Sequence, residues 1–204
     1  MKYVQLGNSE IKVSQLCVGC MSFGRPSEDF HQWTLNPQET ETIIRKALDL
    51  GINFFDTANV YSHGTSEEYL GQALKKNITR DKAVIATKVY FNEGHLSKEA
   101  INREIDGSLK RLGTDYVDLY IIHRFDYDTP IEETMEALDG LVKSGKVRAL
   151  GASAMYGYQF HNMQLAAEKN GWTKFVSMQN HYNLLYREDE REMIPVCRQY
   201  NVSL

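Results

Sequence analysis

The sequence has few cysteines, no long apolar run and no block of like charges. Its 204 residues include three cysteines, and 23 Lys and Arg stand against 27 Asp and Glu for a formal net charge of -4. Three cysteines are too few for a disulfide framework, and the absence of a basic stripe argues against a nucleic-acid partner. No apolar stretch approaches the roughly 18 residues of a membrane span, and the N-terminus lacks a signal-peptide core. We therefore expect a cytoplasmic protein that binds neither nucleic acid nor membrane.

The three cysteines, Cys17, Cys20 and Cys197, are expected to be buried or half-buried structural thiols. Cys17 and Cys20 form a C-x-x-C within QLCVGC, a pattern typical of a strand that runs into a loop. Strand side chains three apart point to opposite faces, whereas the redox motif needs its first thiol at a helix N-terminus. No second ligand cluster accompanies them, so a redox or metal role is the less favoured alternative and no metal site is expected.

Apolar runs typical of strands alternate with amphipathic segments typical of helices along the whole chain. The composition, 42% hydrophobic and 25% charged, suits a globular protein with a sizeable core. After a hairpin pattern, YVQLGNSEIKVSQL, the strand-like runs are LCVGC, INFFD, AVIATKV, VDLYIIH, VRALGAS and FVSMQN, and NVSL begins another. This alternation predicts βαβ units and a parallel sheet. No linker or composition shift marks a second domain, so residues 1–204 are expected to form one.

Two architectures fit this alternation, a doubly wound open sheet and a (β/α)8 TIM barrel. A dinucleotide-binding open sheet would carry G-x-G-x-x-G after its first strand, but VGCMSFGRP has only Gly19 and Gly24 and lacks the Lys-Ser/Thr of a P-loop. The barrel is therefore favoured, with the hairpin as an N-terminal cap. It would be incomplete here, with about six βα units and the start of strand seven.

Local signals place several helix ends. Ser66 is expected to be the N-cap of a helix over 66–76. Thr129 is expected to be the N-cap of another helix, with Pro130 at its first helical position. A sixth helix is expected over 187–200, REDEREMIPVCRQY.

Four chemically capable side chains stand at the downstream ends of the strand-like runs. Asp56 and Tyr61 lie in FFDTANVYS, Lys88 in VIATKV and His123 in LYIIHRFD. In a barrel, the loops that follow the strands share one face, so these residues can meet. Taken singly, the tyrosine could be packing, the aspartate a cap and the histidine a core residue, but a lysine pointing into a barrel is costly unless paired. Jointly they form a proton-donating group suited to carbonyl chemistry.

The motifs DTANVYSHGTSEEYLG, ATKV, RLGTDYVDLYIIH, LVKSGKVRALGAS and FVSMQNHYNLLYRE resemble the aldo-keto reductase family in order and spacing. CVGCMSFG, HQWTLN and HYNLLYREDEREM are most similar to its bacterial YajO-like branch. The resemblance covers essentially the whole chain. It implies a barrel enzyme that reduces an aldehyde or ketone, a small-molecule carbonyl substrate, with NADPH (NADP) as cofactor.

The resemblance also implies a task for each of the four residues. Tyr61 would donate the proton to the carbonyl oxygen, and the cation of Lys88 would stabilise the phenolate. Asp56 would pair with Lys88 and lie beside the cofactor, while His123 would orient the carbonyl.

Further site residues follow from the same resemblance. Ser153 and Gln179 would hold the nicotinamide carboxamide, and Met21 and Ser22 would lie along the cofactor; ordinary loop or core contacts are the alternatives. Trp33 would wall the substrate pocket with Tyr61 and His123, unless it only covers the barrel. The residue after the serine is often Asn in the family and is Ala154 here.

Compared with the family pattern, the chain lacks the eighth strand, the last two helices and most of the dinucleotide site. We therefore expect a truncated reductase or fragment, and association with another chain through the open barrel edges. Two alternatives stay open: a non-catalytic binding or regulatory protein of the same fold, and a Schiff-base lyase that uses Lys88 as nucleophile.

Overall fold

A short antiparallel hairpin opens the computed structural model, which describes residues 1–204. Strand β1 (Tyr3–Gln5) pairs with β2 (Lys12–Ser14), and the turn between them includes Gly7 at φ +55°. A side chain at position 7 would collide with the backbone oxygen of Val176, 2.2 Å from an added Cβ, so only glycine fits this approach to the sheet. The predicted hairpin is confirmed.

Six parallel strands alternate with helices after the hairpin, in the sheet order β3-β4-β5-β6-β7-β8. The strands are β3 (Cys17–Gly19), β4 (Phe54–Asp56), β5 (Val84–Val89), β6 (Val117–Ile122), β7 (Val147–Ser153) and β8 (Phe175–Gln179). The helices are α1 (Pro37–Asp49), α2 (Thr65–Asn77), α3 (Lys98–Leu112), α4 (Ile131–Lys143), α5 (Gly157–Asn170) and α6 (Met193–Gln199). The sheet is curled into a half-barrel, which confirms the predicted incomplete TIM barrel. None of the helices is long and apolar enough to cross a membrane.

Side chains on the two faces of the sheet enter two separate apolar clusters, because successive strand residues point to opposite faces. The larger cluster, of 34 buried residues, lies between the sheet and the helices and includes Ile85 and Tyr120. The smaller, of eight, lies on the inner face and includes Ala86 and Ile121, with Leu6 and Val13 from the hairpin region. The hairpin therefore caps the inner face, as expected.

Residues after α6 return to the edge of the sheet beside β8. Ser203 forms a parallel bridge with Ser177, with backbone hydrogen bonds to Val176 and Met178 of 3.0 and 2.8 Å. The Ser203 hydroxyl oxygen accepts a hydrogen bond from the Gly7 N–H at 2.6 Å. The expected start of a seventh strand is present as this single bridge, and it ties the sheet edge to the hairpin.

Two of the expected helix caps are wrong. Gly64, at φ +87°, is the N-cap of α2, and the buried Ser66 hydroxyl instead donates to the Cys20 carbonyl oxygen at 2.7 Å. Pro130 is the N-cap of α4, while the Thr129 hydroxyl donates to Asp126 at 2.7 Å. In both cases a nearby tertiary or loop acceptor competes successfully with the helix end for the hydroxyl.

Two further expectations also need correction. The segment 187–200 holds a 3-10 turn at Glu188–Glu190 and then only the short helix α6, so the predicted sixth helix begins later than expected. Cys17 is exposed, whereas Cys20 and Cys197 are buried as expected, and all three are free thiols. Cys17 lies on the end strand of the sheet, where no neighbouring strand covers it.

We predict opposite effects of alanine at two helical glycines. An added Cβ at Gly71 in α2 would lie 2.2 Å from the backbone oxygen of Leu112 in α3, whereas one at Gly140 in α4 meets nothing within 4 Å. Gly71→Ala should lower the free energy of unfolding by about 2–3 kcal/mol through overpacking. Gly140→Ala should raise it by about 0.5–1 kcal/mol through helix propensity. Urea denaturation followed by circular dichroism measures both, and equal effects would contradict the close α2–α3 packing.

Candidate active site

Lys88 is a buried cation at the carboxyl end of the inner face. It is the fifth residue of β5, and its side chain is 1% exposed. Its Nζ donates to Asp56 Oδ2 at 2.7 Å, to the Thr57 carbonyl oxygen at 2.9 Å and to the Tyr61 hydroxyl at 3.3 Å. Three acceptors around one ammonium satisfy its hydrogen-bonding capacity and offset the cost of its burial.

Tyr61 begins a strained turn between β4 and α2. Ser62, His63 and Gly64 follow it with φ of 46°, 54° and 87°, three successive residues in the left-handed region. The hydroxyl of Thr65 donates to the Ser62 carbonyl oxygen at 2.7 Å, and a Cβ at Gly64 would lie 2.7 Å from Arg111 Cδ. Non-glycine residues in this region cost about 1–3 kcal/mol each, so the surrounding contacts must hold the turn.

His123 follows β6 and faces Tyr61. The two rings meet edge to face with centroids 5.7 Å apart, and the Phe91 ring also packs edge to face with the imidazole, at 5.0 Å. Burial first, and then the positive charges of Lys88 and Arg124, lower the pKa of His123 to about 3. The imidazole is therefore neutral at physiological pH and can donate from one nitrogen only.

Ser153 and Gln179, the residues expected to hold a carboxamide, lie side by side at the ends of β7 and β8. The Ser153 hydroxyl donates to the Gln179 carbonyl oxygen at 2.6 Å, and Gln179 Nε2 donates to Asp56 Oδ2 at 3.2 Å. Ala154 has φ +48°, a conformation that favours Asn or Gly, and its N–H donates to Asn180 Oδ1 at 2.8 Å. The structure thus connects the expected carboxamide residues to Asp56.

The loop between β3 and α1 carries the remaining expected residues. Met21 is 41% exposed and Trp33 is 56% exposed. The Ser22 carbonyl oxygen accepts a hydrogen bond from the backbone N–H of Leu35 at 2.7 Å. Trp33 stacks on His31, with ring centroids 4.4 Å apart. Phe30, rather than Trp33, is the loop aromatic that approaches Tyr61, at 6.4 Å between centroids.

Sequence reasoning brings the four polar residues together but misses the two aromatic neighbours, Phe30 and Phe91. Phe91 lies two residues beyond β5, in the same kind of position that singled out Tyr61, so its place after a strand end was the available signal. Phe30 lies in a loop with no regular pattern, and nothing in its local sequence marks it.

Several buried polar atoms at this end of the sheet have no partner in the chain. They include Asp56 Oδ1, Ser62 Oγ and His123 Nδ1. A cavity of about 550 Å³ opens along the inner face; Asp56 and Gln179 line it, whereas Tyr61, Lys88 and His123 do not. Unpaired buried polar groups beside a concave, largely apolar surface are typical of a ligand site. No group of three or more His, Cys, Asp or Glu side chains is placed to hold a metal ion.

Comparisons with known proteins agree with one another. A family model described as "Aldo/keto reductase family" matches residues 15–204. The versiconal hemiacetal acetate reductase of Aspergillus parasiticus is 46% identical, over 100% of this chain and 66% of the relative. The aldo-keto reductase AMT2 of Alternaria alternata is 44% identical, over 99% and 63%. A putative aryl-alcohol dehydrogenase of Schizosaccharomyces pombe is 45% identical, over 99% and 65%.

The chain therefore spans less than two thirds of the length of these curated relatives. All three are fungal proteins. They do not test the expected likeness to the bacterial YajO-like branch, which stays a prediction.

We predict that the Asp56–Lys88 pair is cooperative. Asp56→Asn should lower the free energy of unfolding by about 3–5 kcal/mol because it leaves a buried ammonium without its counter-ion. Lys88→Met should also destabilise, and the double variant should lose less than the sum of the two single variants. Urea denaturation of the four proteins completes the cycle.

A surface pair supplies the control for that cycle. Lys76 and Glu41 are also 2.7 Å apart, but the lysine side chain is 63% exposed. Lys76→Met should change stability by less than about 1 kcal/mol. Additive losses at positions 56 and 88 would contradict a coupled buried pair.

We also predict that His123 does not titrate near neutrality. Its pKa of about 3 places protonation well below that of a free imidazole, so its NMR Hε1 signal should stay constant from pH 8 to below pH 5. In the urea-denatured protein the same ring should titrate at about pH 6.5. The unfolded state then binds a proton that the folded state excludes. As pH falls below the pKa of the unfolded-state imidazole, His123 therefore lowers the free energy of unfolding. A folded-state midpoint near neutrality would contradict the neutral imidazole.

Proposed function

The chain belongs to the aldo/keto reductase family, a family of oxidoreductases, and from that premise we propose that it reduces an aldehyde or ketone to an alcohol. The single observation that carries the proposal is the contact of the buried Lys88 ammonium with the Tyr61 hydroxyl at 3.3 Å. A tyrosine hydroxyl that already accepts a hydrogen bond from a fixed cation is suited to give up its own proton.

In this proposal Tyr61 donates its proton to the carbonyl oxygen as negative charge develops there. Lys88 stabilises the phenolate that remains, and Asp56, 2.7 Å from Nζ, keeps the ammonium aimed at the phenol. Because the Lys88 side chain is only 1% exposed, water screens this interaction little. The strained turn after Tyr61 fixes the direction of the phenol.

His123 would orient the carbonyl from the opposite side. Its ring packs edge to face on that of Tyr61, with centroids 5.7 Å apart, so the two side chains border the same part of the site. As a neutral imidazole it can donate a hydrogen bond without competing with Tyr61 as the proton source. Phe91 and Phe30 contribute apolar surface around the same point, which would help exclude water from the reacting carbonyl.

The hydride would come from NADPH when it is bound, with the nicotinamide carboxamide held by Ser153 and Gln179. The residues present fit that end of a dinucleotide: a hydroxyl and a primary amide lie together, next to the unpaired Asp56 Oδ1. Met21 and Ser22 would extend the contact along the cofactor. NADPH rather than NADH is carried from the family resemblance, whereas the single-domain organisation and the cytoplasmic location stay predictions from the sequence pattern.

Tyr61→Phe should lower aldehyde turnover by about 10²-fold or more, because it removes the proton donor and keeps the ring. Tyr127→Phe, at a 72% exposed tyrosine, is the matched control and should be silent. Near-normal turnover in Tyr61→Phe would exclude the acid assignment.

The assay should use NADPH deuterated at the transferred position, with mass spectrometry of the alcohol. Deuterium in the product is expected for reduction, and Lys88 trapped on substrate by borohydride would instead favour the lyase alternative. Fluorescence titration of NADPH on the same sample completes the test. A folded chain that neither binds NADPH nor turns over aldehyde would favour the non-catalytic alternative.

A further inference from the structure

Glu104, on the outer side of the sheet, joins two loops of the candidate active site. It lies in the middle of α3 and is 8% exposed. Its Oε2 accepts a hydrogen bond from Asn59 Nδ2 at 2.8 Å and another from Asn92 Nδ2 at 2.6 Å. Asn59 belongs to the loop after β4 and Asn92 to the loop after β5, so one carboxylate oxygen holds both loops.

The first of these hydrogen bonds reaches Tyr61. Asn59 lies two residues before it and is 4% exposed, and its backbone N–H donates to the Lys88 carbonyl oxygen at 3.2 Å. The Tyr61 N–H donates to the Ala58 carbonyl oxygen at 3.2 Å, so the segment 58–61 is a tight turn. A displacement of Asn59 would therefore move the start of the turn that carries the phenol.

The second hydrogen bond reaches His123. Asn92 is adjacent to Phe91, whose ring packs edge to face on the His123 imidazole with centroids 5.0 Å apart. His123 faces Tyr61 in turn. The path from Glu104 thus leads to both rings between which a carbonyl would lie, although Glu104 contacts neither of them.

Hydrogen bonds keep the Glu104 carboxylate charged although it is buried. Burial alone would raise its pKa, but hydrogen bonds from Asn92, Asn59 and Arg103 together lower the pKa below the ordinary value of a glutamate. Arg103 approaches the other carboxylate oxygen, Oε1, at 3.1 Å. A charged acceptor makes stronger hydrogen bonds than a neutral one, which suits a group that must hold two amides at once.

We propose that Glu104 is a positioning residue that sets the separation of Tyr61 and His123 through Asn59 and Asn92. The catalytic consequence rests on the proposed carbonyl reduction, but the geometric consequence does not. The role belongs to the acceptor oxygen, because a single oxygen takes both hydrogen bonds.

Two substitutions of equal length separate the acceptor from the bulk of the side chain. Glu104→Met removes both hydrogen bonds and should lower kcat by about 10- to 100-fold, as small displacements of catalytic groups do. The KM for an aldehyde such as benzaldehyde should change by less than about threefold, since no group that binds substrate is removed. Glu104→Gln keeps an oxygen that can accept from both asparagines and should restore most of kcat. Glu99→Met, at an exposed glutamate of the same helix, is the control.

Crystal structures of the two variants supply a readout that does not need activity. In Glu104→Met the distance between the ring centroids of Tyr61 and His123 should exceed the present 5.7 Å, and in Glu104→Gln it should not. Asn59→Leu and Asn92→Leu each break one of the two hydrogen bonds, and they replace Glu104→Met if that variant does not fold.

Unchanged geometry in a folded variant that lacks the hydrogen bonds would overturn the proposal, as would a loss of stability with kcat unaltered. Should the wild-type chain fail to reduce aldehydes, the proposed function fails, and the Tyr61–His123 separation in the variants still tests the role of Glu104.

Discussion

The buried ammonium of Lys88 is the constraint around which the carboxyl end of the sheet is arranged. An unpaired charge on the inner face would be costly, so the ammonium needs acceptors within hydrogen-bonding distance. Asp56, the Thr57 carbonyl and Tyr61 meet that need, and all three come from β4 or the turn after it. The pairing of β4 with β5 brings Asp56 opposite Ala86, two residues before the lysine on the same face. The register between β4 and β5 therefore determines whether Asp56 can reach Lys88.

The outer face of the same strand supports the same turn by a second route. The Thr87 hydroxyl donates to the fully buried carboxylate of Glu67 in α2, and Arg111 Nε of α3 donates to its other oxygen at 2.6 Å. The Arg111 side chain then packs against Gly64, where the turn that begins at Tyr61 ends. Because side chains alternate along β5, Lys88 contacts Tyr61 on the inner face, and Thr87 contacts Glu67 on the outer face. Through Glu67 and Arg111, helices α2 and α3 therefore support the turn that carries the phenol.

Features that depend on periodicity or on motif spacing could be predicted from the sequence. The strand-like runs and their helices are regular enough to indicate the barrel, and the motifs bring Asp56, Lys88 and His123 to one end because parallel strands share a direction. Features decided by tertiary competition could not. The Ser66 hydroxyl bonds to Cys20, 46 residues away, and Glu104 lies on a helix whose sequence shows only an ordinary exposed-to-buried periodicity. Phe30 rather than Trp33 approaches the Tyr61 ring for a related reason: loop aromatics are placed by tertiary neighbours, and the local sequence pattern carries little information about them.

The three left-handed residues after Tyr61 would give the turn two separate conformations rather than a continuous range. The Thr65 hydroxyl donates to the Ser62 carbonyl oxygen, Arg111 lies against Gly64, and Gly24 of the neighbouring loop lies against Ser62. If those contacts opened, Ser62 and His63 could relax to commoner backbone conformations, and the phenol would then move relative to the ammonium. A population of such molecules would contain competent and incompetent members, with few in between. For the proposed reduction, bulk turnover would then report the fraction of molecules that are competent, and single-molecule records would show pauses.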